Sequence, residues 1–263
     1  MPKKRVEANG ITLAYEDHGA GKPLLLLHGF CGSSLYWQKV IPLLAGHCRV
    51  IAPDLRGHGE SEAPEEAVYS MEANADDIAA LIQALDLDRP IVLGHSLGGY
   101  IALALAERYG ELLSGFGLIH STAYPDTEES RAGRDKGIAT IRSEGITAFV
   151  DGLVPKLFAP EHLTSMPEAV EEAKRIGRGT SAAGAAATQE GMKRRPDRNS
   201  VLAETGLPVL LVAGLRDGIV PVEKTFSVRR ASITCVELEE AGHMSMLETP
   251  DPLAEGILSF LSR

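Results

Sequence analysis

The chain is short of basic residues, of cysteine and of long apolar runs, and each shortage closes off a class of function. Lys and Arg number 26 against 36 Asp and Glu, which leaves a formal charge of −10 at pH 7. Such a surface repels phosphate backbones and anionic headgroups, so neither nucleic acid nor a membrane is expected as a partner. The basic cluster Lys3-Lys4-Arg5 reads as a solvated tail. No apolar h-region follows it, so a secretory signal is not expected. No uninterrupted apolar run is long enough to cross a bilayer. Cysteine occurs three times, as Cys31, Cys48 and Cys235, without a Cys-x-x-Cys pair. An odd count of that kind suits a reducing cytoplasm and not a disulfide framework. Cys48 and Cys235 read as buried packing residues, and no partner is readable that would make Cys31 a nucleophile. The eight histidines form no His-x-x-x-His or His-x-His arrangement with carboxylates, so no metal site is expected. No cluster of arginines marks a phosphate or coenzyme A site, and no cofactor is expected. Internal repeats are absent, and the one low-complexity tract is the Ala/Gly patch at 182–187.

What is present is a globular composition of domain size. The 263 residues are 44% apolar and 24% charged, enough to bury a large core. Residues 6–8 and 11–16 read as strands joined at Asn9-Gly10, a strong hairpin signal. The continuous apolar run 24–27 reads as a strand covered on both faces, and 49–53 as another. Ser34 is expected to cap a helix through Leu44, and a second helix is expected over 70–85. Further strands are expected at 116–119, 209–213 and 235–238, with a closing helix over 252–261. Alternating strand and helix argues for a mainly parallel sheet with helices on both faces. Between 121 and 200 no strand is readable, only amphipathic stretches at 135–142, 146–157, 167–176 and 181–193. An insertion of that length is too long for a structureless loop and reads as a helical cap over the strand ends.

The richest local pattern is Ile91-Val92-Leu93-Gly94-His95-Ser96-Leu97-Gly98-Gly99-Tyr100. A β-type run stops at Gly94, a serine sits between glycines, and an Ala- and Leu-rich helical stretch follows. This is Gly-x-Ser-x-Gly in the strand–turn–helix setting of a nucleophile elbow, where a strained turn lifts the hydroxyl of Ser96 above the sheet. A nucleophilic serine needs a base, an orienter for that base and donors for the oxyanion. His243, in Gly242-His243-Met244 after the last strand, is the expected base. Asp217, close behind the strand at 209–213, is the expected orienter. Its rival, Asp126, lies several residues past its strand end, beyond Pro125. The backbone N–H groups of Leu97 and Phe30 are the expected oxyanion donors. His28 is expected to line the site as part of the oxyanion loop and not as a base. His95 is expected to line it without proton transfer. His58 is expected to order its Gly-rich turn, and His120 reads as a satisfied hydrogen-bonding residue. Phe149, Leu153 and Leu157, with Phe158, lie at helical spacing in the cap and either face the pocket or pack cap on core.

Five motifs in order give the chain a family resemblance. They are His28-Gly29-Phe30, Asp54-Leu55-Arg56-Gly57-His58-Gly59-Glu60-Ser61, Gly94-His95-Ser96-Leu97-Gly98-Gly99, Gly214-Leu215-Arg216-Asp217 with Val220-Pro221, and Gly242-His243-Met244. Together they resemble the α/β-hydrolase fold, in its lid-bearing esterase, C–C hydrolase and cofactor-free haloperoxidase-like branch. The order Ser…Asp…His is that of this family. Arg195-Pro196-Asp197-Arg198 resembles the return from cap to core in its esterase-like members. The resemblance implies an eight-stranded, mainly parallel sheet flanked by helices, with a helical cap inserted after the sixth strand. The core would span 1–120 and 201–263, and the cap 121–200. It implies a serine carboxylesterase acting on small to medium acyl esters, and the acidic composition fits a monomer and a homodimer alike. C–C bond, lactone or perhydrolytic chemistry on the same triad is the first alternative. A hydrolase-fold small-ligand receptor with slow turnover is the second. Haloalkane dehalogenases and epoxide hydrolases of the family place an aspartate where this chain has Ser96.

Overall fold

A computed structural model describes residues 3–262. Strands β1 (Lys4–Ala8) and β2 (Ile11–His18) form the expected antiparallel hairpin. Asn9 and Gly10 both take positive φ, 52° and 78°, as a two-residue primed turn requires. Next come β3 (Pro23–Leu27), a 3₁₀ turn at Ser34–Trp37, helix α1 (Ile41–Leu44) and β4 (Arg49–Pro53). The single helix expected from Ser34 to Leu44 is therefore two short pieces, and Ser33, not Ser34, caps the first by accepting the Leu35 N–H. Ser70 caps α2 (Met71–Ala84) as expected. The elbow follows, with β5 (Ile91–His95) leading into α3 (Leu97–Tyr109), and then β6 (Gly115–Ile119).

The stretch after β6 is helical. It holds α4 (Glu128–Leu153), broken at Gly145 where φ is 87°, a 3₁₀ turn at Val154–Leu157, α5 (His162–Ser165), α6 (Pro167–Arg178) and α7 (Ala182–Arg194). Helix α8 (Asn199–Glu204) packs on α3, so the return to the core expected at 201 falls inside a helix. The chain closes with β7 (Val209–Gly214), α9 (Val222–Thr225), β8 (Ile233–Leu238), α10 (Ser245–Glu248) and α11 (Pro250–Leu261).

The eight strands lie in the order β1-β2-β4-β3-β5-β6-β7-β8, parallel from β4 to β8. Period-two alternation splits the core between the faces. Leu24 and Leu26 join Trp37, Val40 and Leu44 on one side, while Leu25 and Leu27 join Ile78, Ile101 and Leu105 on the other. Val150, Val154, Leu157 and Phe158 of the inserted helices pack into the first of these clusters. The small residues of α7 allow close approach, as the 182–187 composition suggests: a Cβ on Gly184 would stand 2.8 Å from Gly57 Cα. Cys31 and Cys48 are buried, but Cys235 lies exposed on the edge strand β8 and is not a packing residue. No helix among the described residues is long and apolar enough to cross a membrane.

Candidate active site

Every residue singled out for chemistry follows the C-terminal end of a parallel strand, where side chains from separate crossovers converge. Ser96 comes directly after β5, with φ 49° and ψ −109°, a strained conformation between strand and helix. Glycine permits the turn: a Cβ on Gly94 would stand 2.0 Å from Gly98 O, and one on Gly98 would stand 2.5 Å from Leu27 O. The turn is fastened to β6, since Ser96 N donates to Ile119 O at 2.9 Å and Ser121 Oγ donates to Ser96 O at 2.7 Å. Ser96 is half-buried while its neighbours on both sides are buried, so solvent reaches it.

His243 and Asp217 meet. His243 Nδ1 donates to Asp217 Oδ2 at 2.8 Å, with both side chains buried. A carboxylate only accepts, so the proton sits on Nδ1 and leaves Nε2 as a lone-pair acceptor. The same Oδ2 takes a second imidazole, His120 Nδ1 at 3.2 Å, and Oδ1 takes the backbone N–H groups of Ile219 at 2.7 Å and Val220 at 3.0 Å. Burial pushes the Asp217 carboxyl up, but His243 and His120 outweigh it and hold the group far below the usual carboxylate range. His243 is set beside the elbow by His95, whose Nε2–H donates to His243 O at 2.8 Å and whose ring lies 4.9 Å from the His243 ring.

The loop after β3 faces the same point. A Cβ on Gly29 would stand 2.5 Å from His95 Nδ1 and 3.4 Å from Ser96 Cβ, so glycine lets this loop lie close against the elbow. Among the described residues, no acceptor meets the N–H of Phe30 or of Leu97 at the start of α3. Both N–H groups therefore remain available to a further acceptor.

His28 supports this loop from behind and does not line it. Its Nδ1 donates to Gly29 O at 2.7 Å and its Nε2 accepts Leu55 N–H at 3.0 Å, so neither nitrogen is free for a ligand. Burial, followed by the neighbouring His58, brings its pKa down to about 3. His95 is likewise buried and turned toward the His243 carbonyl. The turn that holds Leu55 is itself rigid: Asp54 accepts from Ser34 N and Glu60 N, and Arg56 grips Asp77 through two bonds of 2.6 and 2.7 Å. His58 donates to Arg56 O at 2.9 Å, the ordering role its position suggests. Burial raises the Cys31 thiol well above its ordinary value and keeps it protonated.

Of the helical residues expected at the pocket, Phe149 is half-buried with its ring 5.8 Å from that of Phe30, edge to face. Leu153 is half-buried one turn on. Leu157 is buried and acts through its backbone, its carbonyl taking His243 N–H at 2.8 Å. Asp126 is held elsewhere, by Arg134 at 2.8 Å and Arg195 at 2.5 Å. Two buried groups are added to those expected: His120, and Glu248, whose carboxylate takes Gly242 N at 3.2 Å and Met244 N at 2.9 Å on either side of His243. The same carboxylate takes Ala159 N at 2.9 Å and His162 Nδ1 at 2.6 Å, tying the inserted helices to the His243 loop.

The family model for the alpha/beta hydrolase fold matches residues 22–250. A putative carbamate hydrolase of Agrobacterium fabrum is 31% identical, over 94% of this chain and 97% of its own. Lipase 1 of Psychrobacter immobilis is 28% identical, over 97% of this chain and 82% of its own. The structure of a thermophilic esterase from Thermogutta terrifontis superposes with a TM-score of 0.93 at 32% identity, covering 100% of this chain and 98% of that one.

Proposed function

Since the chain belongs to the α/β-hydrolase family, we propose that it is a serine carboxylesterase acting on small to medium uncharged acyl esters. The observation that carries this reading is the reachable Ser96 on its strained turn, with the His243 ring 4.9 Å from that of the preceding His95 and its proton held on Nδ1 by Asp217. In the proposed reaction the Ser96 hydroxyl attacks the ester carbonyl as His243 Nε2 takes its proton, and the N–H groups of Phe30 and Leu97 hold the oxyanion. The imidazolium returns the proton to the departing alcohol. Water then repeats the sequence on the acyl-enzyme and releases the acid. Asp217 stays ionised throughout and stabilises the imidazolium.

In this reading the helices between β6 and β7 are a cap, and Phe149, packed on Phe30, shapes the acyl pocket. The surface supports an enzyme over a partner-binding receptor. Of the large apolar side chains at 121–200, only Tyr124 and Leu163 stand exposed among the described residues. Two such residues do not make the contiguous patch that a signalling surface would carry. The test combines a fluorophosphonate probe with a panel of chromogenic esters and lactones, on the parent and on Ser96→Ala. The parent should label and turn over esters fastest, and Ser96→Ala should neither label nor retain more than about a thousandth of the turnover. A folded Ser96→Ala keeping a tenth of the activity excludes the nucleophile. Labelling without turnover would favour the receptor.

A further inference from the structure

His120 is the one buried imidazole at the strand ends that touches the acid and has no part in the proposed reaction. It directly follows β6, with φ 50°, and no solvent reaches it. Its Nδ1 lies 3.2 Å from Asp217 Oδ2, the oxygen that also takes His243 Nδ1. Its Nε2 lies 2.7 Å from the buried Ser245 Oγ. These partners fix the protons. The carboxylate can only accept, so His120 carries its proton on Nδ1, its Nε2 is an acceptor, and the Ser245 hydroxyl donates to it. Ser245 stands two residues beyond His243 at the head of α10, so the chain Ser245–His120–Asp217–His243 closes on itself. It repeats the serine–imidazole–carboxylate order of a triad, but in a place no substrate enters.

Resting on the reading of Asp217 and His243 as acid and base, we propose that His120 is a positioning residue that shares the Asp217 charge and so sets the pH at which His243 becomes a working base. Two imidazole N–H groups on one oxygen draw charge from it, so His243 faces a weaker anion than an unshared carboxylate would present. A weaker anion holds the imidazolium less tightly, and the base stays neutral to lower pH. Burial keeps His120 below the usual imidazole range, so it acts as a neutral dipole at neutral pH and adds no positive charge. The other titratable groups facing this cluster are His95 and Glu248. The His95 ring lies 6.1 Å from His120, and burial likewise favours its neutral form. Glu248 is engaged by the N–H groups of the His243 loop.

A packing role and a charge-sharing role part company in the pH profile. His120→Leu fills the space without a donor, and His120→Asn restores an N–H near the Nδ1 position and suits a left-handed backbone. We expect His120→Leu to lose about tenfold in kcat with KM little changed. The acid limb of its kcat/KM profile should move up by about half to one pH unit. His120→Asn should bring that limb back to the parent position. A folded His120→Leu with an unmoved limb overturns the proposal. Should His120→Leu fail to fold, proton NMR of the parent and of His120→Asn decides. The variant should lose one of the parent's downfield imidazole N–H signals, whereas an unchanged set of signals overturns the assignment. Ser96→Ala runs alongside: retained turnover there would sink the catalytic reading itself, whereas lost turnover with an unmoved His120→Leu limb would sink only this proposal.

Discussion

Asp217→Asn, set beside Asp126→Asn on one chromogenic ester, asks most directly how the base is held. The two oxygens of Asp217 are not equivalent: Oδ1 takes two backbone N–H groups, and Oδ2 takes two imidazoles. An amide cannot turn its NH₂ toward Ile219 N and Val220 N without setting donor against donor, so its oxygen stays there and its NH₂ faces His243. His243 Nδ1 must then accept, which moves the imidazole proton to Nε2, the atom that has to receive the Ser96 proton. A loss of about 10³- to 10⁴-fold in kcat is expected for such a tautomer error, equivalent to about 4–5.5 kcal/mol of barrier. Asp126 touches Arg134 and Arg195 and nothing near His243. Asp126→Asn should therefore keep kcat within a few fold and lower the melting temperature by several degrees, because it weakens a buried ion pair. Both variants are assayed across pH with folding checked by circular dichroism. A crippled Asp126→Asn with Asp217→Asn within about tenfold of the parent would refute this account of the acid.

Most of the sheet was legible because its strands are covered on both faces and read as continuous apolar runs such as Leu24–Leu27. The hairpin was legible from Asn9-Gly10, a local rule. Cys235 was misread because burial depends on sheet order: β8 is an edge, and its side chains are exposed or half-buried apart from Leu238. Ser96, Asp217 and His243 were legible because each lies just past a strand, so sequence position alone delivers them to one end of the sheet. Which side chains then meet is a long-range matter. His120 meets Ser245 across 125 positions and Asp217 across 97, and Glu248 meets Ala159 across 89. The one sequence signal for His120 is that it, too, follows a strand at once. His28 shows the converse: its motif marked the right loop, but only the Leu55 N–H and Gly29 carbonyl show that both ring nitrogens are taken.

Two further expectations separate pocket from scaffold. Phe149→Ala should shift acyl-chain preference more than it lowers activity on the shortest ester. Leu157→Ala should cost about 2–4 kcal/mol of stability with chain-length preference unchanged, and the reverse pattern would place the pocket elsewhere. The second concerns acid. His28, His58, His95 and His120 are all buried, and burial holds each below the usual imidazole range, His28 at about 3. In the unfolded chain each takes a proton near about pH 6.5, so below that pH the unfolded state binds protons that the folded state refuses. The stability tied to neutral histidine is thus complete above about pH 6.5 and drains away as pH falls toward the folded values, by up to about 1.4 kcal/mol per pH unit for each ring. Urea unfolding between pH 7.5 and 5, above the carboxylate range, isolates this effect. The midpoint should stay level down to about pH 6.5 and fall from there to pH 5, and His28→Asn should shallow that slope by one ring's share. A midpoint that stays level or rises toward pH 5 would mean that these imidazoles accept protons inside the fold, and the tautomers assigned to the His28 loop and to the His120–Asp217–His243 cluster would be wrong.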